Sequence, residues 1–180
     1  MSTEIRAHAY RVGDDVKMLD IMPVRFKSSN ALIDADLGKT AFADLDPAFA
    51  DKAMAGEDAI VGAGGNFGGG GKSIEGPVFA LRGAGIRVCI ADSFARYFLR
   101  NAINNGFPIL VCDGISQAVQ TGQELSVDLE QATVTNLTTG QTLQASPLSA
   151  TALRILEAGG LVPYAKAKLE ARKAEAVSAA

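Results

Sequence analysis

Gly64-Gly65-Asn66-Phe67-Gly68-Gly69-Gly70-Gly71-Lys72-Ser73 follows directly on the apolar run Ala59-Ile60-Val61-Gly62-Ala63. A short buried strand that opens into a glycine-dense loop ending in Gly-Lys-Ser invites a phosphate-binding reading. Glycine frees backbone N–H groups to surround an anion, and the lysine would reach its outer oxygens. Asp113, at the end of the apolar strand Ile109-Leu110-Val111-Cys112, would then be the magnesium-binding acid. The spacing argues against this. The motif needs glycine five residues before its second glycine, Gly71, and Asn66 stands there. Gly76 and Pro77 would also fall in the first turn of the next helix. A loop that serves only as a tight turn is the plainer alternative.

Working outward, the segments around this loop alternate between strands and helices. Ile5 to Val12 alternates loosely as a strand, and Gly13-Asp14-Asp15 supplies a turn. Met22 to Lys39 is mixed and turn-prone, which predicts a long loop. Asp46-Pro47 reads as a helix start, with the helix running through Phe49 to Met54 and stopping at Gly56. A helix is expected from about Gly76 to Gly83, then a strand Arg87 to Ala91. Ser93 is placed to cap a helix from Phe94 to Asn105 that ends at Gly106. Helix Ile115 to Thr121, strands Leu125–Leu129, Thr133–Asn136 and Thr142–Ala145, and helix Ser149 to Ala158 complete the pattern. An Ala/Lys/Glu tail closes the chain. Short strands, several helices and an antiparallel C-terminal set predict a mixed α/β domain. With no internal repeat and no linker, residues 1–180 read as one domain, with its core in about 5–165 and a partly mobile helical tail, 166–180.

Composition narrows the function classes. The 180 residues are enough for one domain with a real core, and 48% are hydrophobic, too many for a disordered chain. The net charge is −3 with no basic block, which argues against a nucleic-acid surface. No apolar run is long enough for a membrane span. Met1 to Tyr10 lacks the apolar stretch of a secretion signal, so a cytoplasmic location is expected. Cys89 and Cys112 each lie inside an apolar stretch and read as buried free thiols. These two cysteines and the single histidine, His8, cannot build a zinc site or hold an iron–sulfur cluster. His8 reads as structural. Any metal this protein works with is carried by another chain.

Several stretches together resemble the small subunits of isopropylmalate isomerases, in the aconitase superfamily. They are Gly13-Asp14-Asp15-Val16, Ile21-Met22-Pro23-Val24-Arg25-Phe26, Asp44-Leu45-Asp46-Pro47, Asn66-Phe67-Gly68, the helix region Ala91-Asp92-Ser93-Phe94-Ala95-Arg96-Tyr97-Phe98-Leu99-Arg100-Asn101-Ala102-Ile103-Asn104-Asn105-Gly106, Val127-Asp128-Leu129, Thr135 to Gly140 and Ile155 to Tyr164. They occur in the family's order over about residues 5–170. The resemblance implies a single swivelling β/β/α three-layer domain of the aconitase C-terminal type. It implies no cofactor on this chain and a 4Fe–4S cluster on a partner large subunit, without which the chain would not be active. The reaction implied is a hydro-lyase one: stereospecific loss and re-addition of water on a small hydroxy-di- or tricarboxylic acid.

The same resemblance exposes departures. The family's active-site loop reads Gly-Ser-Ser-Arg-Glu. Aligning back from Ala80-Leu81 places Lys72-Ser73-Ile74-Glu75 over Ser-Ser-Arg-Glu, with one extra glycine absorbed in the turn. Aligning forward from Asn66 places Gly71-Lys72-Ser73-Ile74 there instead. Neither register restores the serine base or the arginine. Upstream, Lys17-Met18-Leu19-Asp20 replaces the family's Asp-Thr-Asp, so the acid position falls on Leu19 with Asp20 one residue on. The candidate catalytic residues are therefore Lys72 and Ser73, and the candidate substrate-binding residues are Arg25, Asn66, Gly68, Gly70, Gly71 and Asp20. Lys72 would act as a base if its pKa were lowered, or bind carboxylate while protonated. Arg96 and Arg100, one helical turn apart, read as a solvated or inter-subunit face. Three outcomes stay open: a hydro-lyase subunit with an altered substrate, an inactive swivel domain kept as a binding or regulatory partner, and a different reaction run through Lys72.

Overall fold

Strand β1 (Glu4–Arg11) is the hinge of the architecture, because it pairs in opposite senses on its two sides. On one side it runs parallel to β2 (Ile60–Ala63), which runs parallel to β3 (Val88–Ala91) and then β4 (Ile109–Val111). On the other it is antiparallel to β5 (Glu124–Asp128), followed by β6 (Thr133–Asn136) and β7 (Thr142–Gln144). The result is one seven-stranded mixed sheet in the order β4-β3-β2-β1-β5-β6-β7. The computed structural model describes residues 4–26, 34–57, 59–71 and 73–178.

The sequence pattern explains this split. β2 and β3 are buried at every position, as strands covered on both faces must be. β5 and β6 alternate instead, turning Leu125, Val127 and Val134 inward. Those side chains pack with Ile60, Val88, Ile90 and Leu110 from the back of the parallel strands and with Ile115 and Val119. The sheet therefore curls around this second core. The front of the parallel strands, through Val61, Ala63, Cys89, Ala91 and Ile109, meets a larger core. Helices α1 (Met18–Ile21), α2 (Asp34–Gly38), α3 (Phe49–Met54), α4 (Gly76–Gly83) and α5 (Arg96–Asn104) supply it. Helix α6 (Ile115–Ala118) and helices α7 (Ala150–Glu157) and α8 (Leu161–Ser178) complete the chain.

Three details differ from the sequence reading. Ser93 does not cap α5: the backbone stays extended through Ala95, the helix begins at Arg96, and the Ser93 hydroxyl is engaged elsewhere. Pro47 lies before α3, because the Asp46 carboxylate takes the Ala48 N–H at 3.0 Å and turns the chain there. The segment expected to be one long loop, Met22 to Lys39, holds a 3-10 turn, Val24–Phe26, and α2, while residues 27–33 lie outside the described ones. Pro77 sits in the first turn of α4, where its missing N–H costs nothing, so the Gly76-Pro77 start is a sound one.

Candidate functional site

Parallel β1, β2 and β3 all end at the same edge, so the loops that follow them gather there. These are residues 12–17, 64–71 and 92–95. Two isolated bridges, Lys17 with Gly69 and Phe67 with Phe94, stitch the three together. Asp14 accepts the Gly65 N–H at 2.7 Å, and Asp15 accepts the Asn66 side-chain amide at 2.9 Å. Beneath the loop, Phe67 packs edge-on to Phe98 with ring centroids 5.2 Å apart, and Phe94 stacks on Phe98 at 6.0 Å. Such pairs add about 0.5–1.5 kcal/mol each beyond area burial, which gives the loop a rigid apolar floor.

The glycine loop does not form a phosphate cradle. Six consecutive N–H groups, from Gly64 to Gly69, donate to the protein itself. Their acceptors are Gly13 O, Asp14 Oδ1, Ser93 Oγ, Ser93 O, and Val16 O for the last two, at 2.7–3.3 Å. A phosphate loop aims those same donors at its ligand. Only at Gly70 and Gly71 does the backbone turn outward. Both are exposed with φ of +108° and +75°, and their N–H groups make no hydrogen bond to another described residue.

The candidate residues separate accordingly. Gly70 and Gly71 keep free donors at the mouth. Gly68 is buried with φ +79°, and a Cβ built there would lie 2.3 Å from the Phe98 Cβ. Its glycine is required by contact with α5. Asn66 (φ +55°) is tied to Asp15 and Ser93. Asp20 accepts the Lys17 N–H at 2.8 Å and so caps α1. Arg25 forms a two-point ion pair with Asp44, at 2.8 and 2.6 Å, and lies 4.6 Å from the centre of the Phe26 ring. That pairing raises the Arg25 pKa and lowers that of Asp44. Arg96 and Arg100 are both exposed on α5. Lys72 lies outside the described residues.

Downstream of the glycines, α5 clamps the chain. Asn101, buried, donates to the Ile74 carbonyl at 2.9 Å, and the Ser73 hydroxyl lies at 3.5 Å from Asn101 Oδ1. Asn105 donates to Glu75 Oε1 at 3.1 Å and to the Asn101 carbonyl at 2.9 Å. Ser73 is exposed, whereas Ile74 packs against the larger core. Sequence reasoning gave no site role to Lys17 or Asn101, and read Asp14 and Asp15 only as a turn and Ser93 only as a helix cap. Asn101 and Asn105 stand four apart on one helix, a spacing that marks a shared face, but nothing local says what that face meets.

The two cysteines do not fit an iron–sulfur cluster. An iron–sulfur cluster is held by a set of cysteine thiolates, typically four. Cys89 and Cys112 are buried, and burial pushes the Cys89 thiol up and Cys112 to about 11 from 9.0, Asp92 and Asp113 adding to the latter. Among the described residues no three His, Cys, Asp or Glu side chains gather to hold an ion, and no helix is long and apolar enough to cross a membrane.

This is the arrangement of an aconitase C-terminal domain, and that family matches residues 13–113, the span that holds the three site loops from Gly13 on. A 3-isopropylmalate dehydratase small subunit from Deinococcus deserti is 42% identical over 174 residues, covering 97% of this chain and 93% of that one. An isopropylmalate/citramalate isomerase small subunit from Methanocaldococcus jannaschii is 42% identical over 169 residues, 94% of this chain and 98% of that one. The crystal structure of a 3-isopropylmalate dehydratase from the same organism superposes with a TM-score of 0.87 at 31% identity, covering 96% and 99% of the two chains. The chain belongs to the family of 3-isopropylmalate dehydratase small subunits.

Proposed function

We propose that this chain closes the active site of a two-subunit hydro-lyase that removes and re-adds water on a malate-type hydroxy-dicarboxylate. The observation that carries this is the shared edge, where the exposed glycines Gly70 and Gly71 follow the Lys17–Gly69 bridge and Gly70 lies against exposed Lys17, in a chain of this family. In the forward step a C–O and a neighbouring C–H bond break, giving an alkene and water. The 4Fe–4S cluster, held by the large subunit, would supply Lewis acidity toward the departing hydroxyl. This chain's residues would hold the substrate and exclude water. The Gly70 and Gly71 N–H groups would donate to a carboxylate, and the fixed Asp14, Asp15 and Ser93 contacts would keep those donors aimed.

Ser73, exposed beside Asn101, and Lys72 are the proton-handling candidates, Lys72 as base or as a carboxylate-binding charge. Arg25 is kept as a substrate-side candidate that would have to leave Asp44 to act. Residues 1–180 are read as one domain working in the cytoplasm with that partner, and with neither nucleic acid nor membrane.

The test is co-expression with a large subunit carrying a three-cysteine cluster motif, anaerobic purification, and assay of 3-isopropylmalate and citramalate for the unsaturated product in the ultraviolet. Turnover that needs both chains is expected. A stable, cluster-loaded complex that converts no hydroxy acid would refute the proposal. Lys72→Ala with unchanged kcat and KM would remove that lysine from the chemistry.

A further inference from the structure

We propose that Lys17 is a substrate-binding residue whose ammonium, with the Gly70 and Gly71 N–H groups, receives the distal carboxylate of the substrate. This rests on the hydro-lyase reading above and names the residue that sets its charge preference. Three observations carry it.

The first is placement. Lys17 is bridged to Gly69 in parallel register, and the N–H groups on either side close the pairing. Met18 donates to Gly69 O at 2.9 Å and Gly68 to Val16 O at 2.7 Å. A Cβ built on Gly70 would lie 3.8 Å from the Lys17 Cβ, so the lysine stem starts beside the first of the two exposed glycines. The second is availability. Lys17 is exposed and makes no ion pair among the described residues. The nearby carboxylates are committed to amides: Asp14 to Gly65 N–H, Asp15 to the Asn66 side chain, Asp20 to Lys17's own N–H. The third is need. Ile74, which one of the two alignments sets against the family's arginine, packs against the core and offers no charge. A cation from the neighbouring loop, residues 12–17, would supply charge for a dicarboxylate that Ile74 cannot.

A lysine suits the position. Its ammonium is a point charge on a flexible stem and needs no planar alignment. Two backbone donors beside it add direction that the charge lacks. Attraction to a carboxylate strengthens once a partner subunit excludes water, because the effective dielectric falls.

The experiment uses the complex of both subunits, with 3-isopropylmalate and citramalate as probes and Lys17→Ala, Lys17→Arg and Lys17→Asp as variants. Losing one charge-assisted contact raises KM about 10- to 100-fold while kcat moves less than about threefold. Lys17→Arg retains most of the affinity, and Lys17→Asp binds more weakly than Lys17→Ala. Wild-type KM rises with ionic strength and that of Lys17→Ala does not, a response that a merely structural residue would not produce. If the wild type turns over and Lys17→Ala leaves KM unchanged, the inference fails and the hydro-lyase reading survives. Should the wild type turn over neither acid, that reading fails. Calorimetric titration of citramalate into the same complexes then decides Lys17 separately: equal affinity for wild type and Lys17→Ala, or no binding to either, overturns it.

Discussion

Replacing Asn101 with alanine isolates what holds the chain just beyond the glycine run. Asn101 is 7% exposed, and its side-chain N–H meets the Ile74 carbonyl at 2.9 Å. Alanine deletes that donor and leaves the carbonyl facing an apolar methyl group. A satisfied bond of this kind contributes about 0.5–1.5 kcal/mol, and a buried polar group stripped of its partner costs about 1–3 kcal/mol. We expect a loss of about 2 kcal/mol, a large part of the roughly 5–15 kcal/mol that a domain has. The held carbonyl lies at the entrance to α4, so the loss should appear there first. The Val78 and Phe79 N–H groups close the first turn on Glu75 O at 2.9 and 3.3 Å. Their native-state hydrogen exchange should speed up roughly 30-fold, since about 1.4 kcal/mol is a factor of ten. The Cys89 amide, bonded to Pro108 O at 3.1 Å in the sheet, serves as the internal reference. Asn101→Asp is the companion variant. It keeps the size and turns the donor into an acceptor against the same carbonyl, and should be at least as destabilising. If Val78 and Phe79 exchange at the wild-type rate in Asn101→Ala, or Asn101→Asp unfolds in urea like the wild type, the clamp is not held by this bond.

Gly68→Ala should destabilise the protein by roughly 2–5 kcal/mol, combining left-handed backbone strain with a Cβ forced onto Phe98; a urea midpoint close to wild type would contradict the packing argument. Asn136, 3% exposed, donates to Ala118 O and Gln123 Oε1 and accepts from the Thr138 and Thr139 N–H groups at 2.8–3.2 Å. Asn136→Ala should cost about 3 kcal/mol by thermal melting, because several buried partners lose their bonds together. Cys89 and Cys112 should resist iodoacetamide at neutral pH until the chain unfolds, since burial keeps both thiols protonated. The native state holds the Cys112 proton up to about 11 while an ordinary thiol loses it near 9.0, so stability should be unaffected below 9.0 and fall between those values. A denaturation midpoint that rises across that window would reverse the sign of the argument.

Much of the frame is legible in the residue pattern. The fully apolar runs Ile60–Ala63 and Val88–Ala91 announce strands covered on both faces, and the alternation in β5 and β6 announces a half-exposed hairpin. Gly76-Pro77 and Gly106 bracket helices where they were expected to. The errors fall on capping. Ser93 has the right chemistry for an N-cap, but its hydroxyl is taken by Asn66, from a loop that arrives from β2. Local propensity cannot register a competitor supplied by another strand.

The candidate site shows the same division more sharply. Sequence alone placed a glycine-rich loop after β2 and identified the family pattern. It could not say which glycine amides remain free, because six of the loop's N–H groups find acceptors on Gly13, Asp14, Val16 and Ser93. Nor could it show that Gly68 answers to Phe98, that Ile74 faces the core, or that Lys17 lies against Gly69. Periodicity and propensity report each residue's preference along its own segment. A hydrogen bond between loops depends on where the strands beneath them end, and only the assembled sheet brings those ends together.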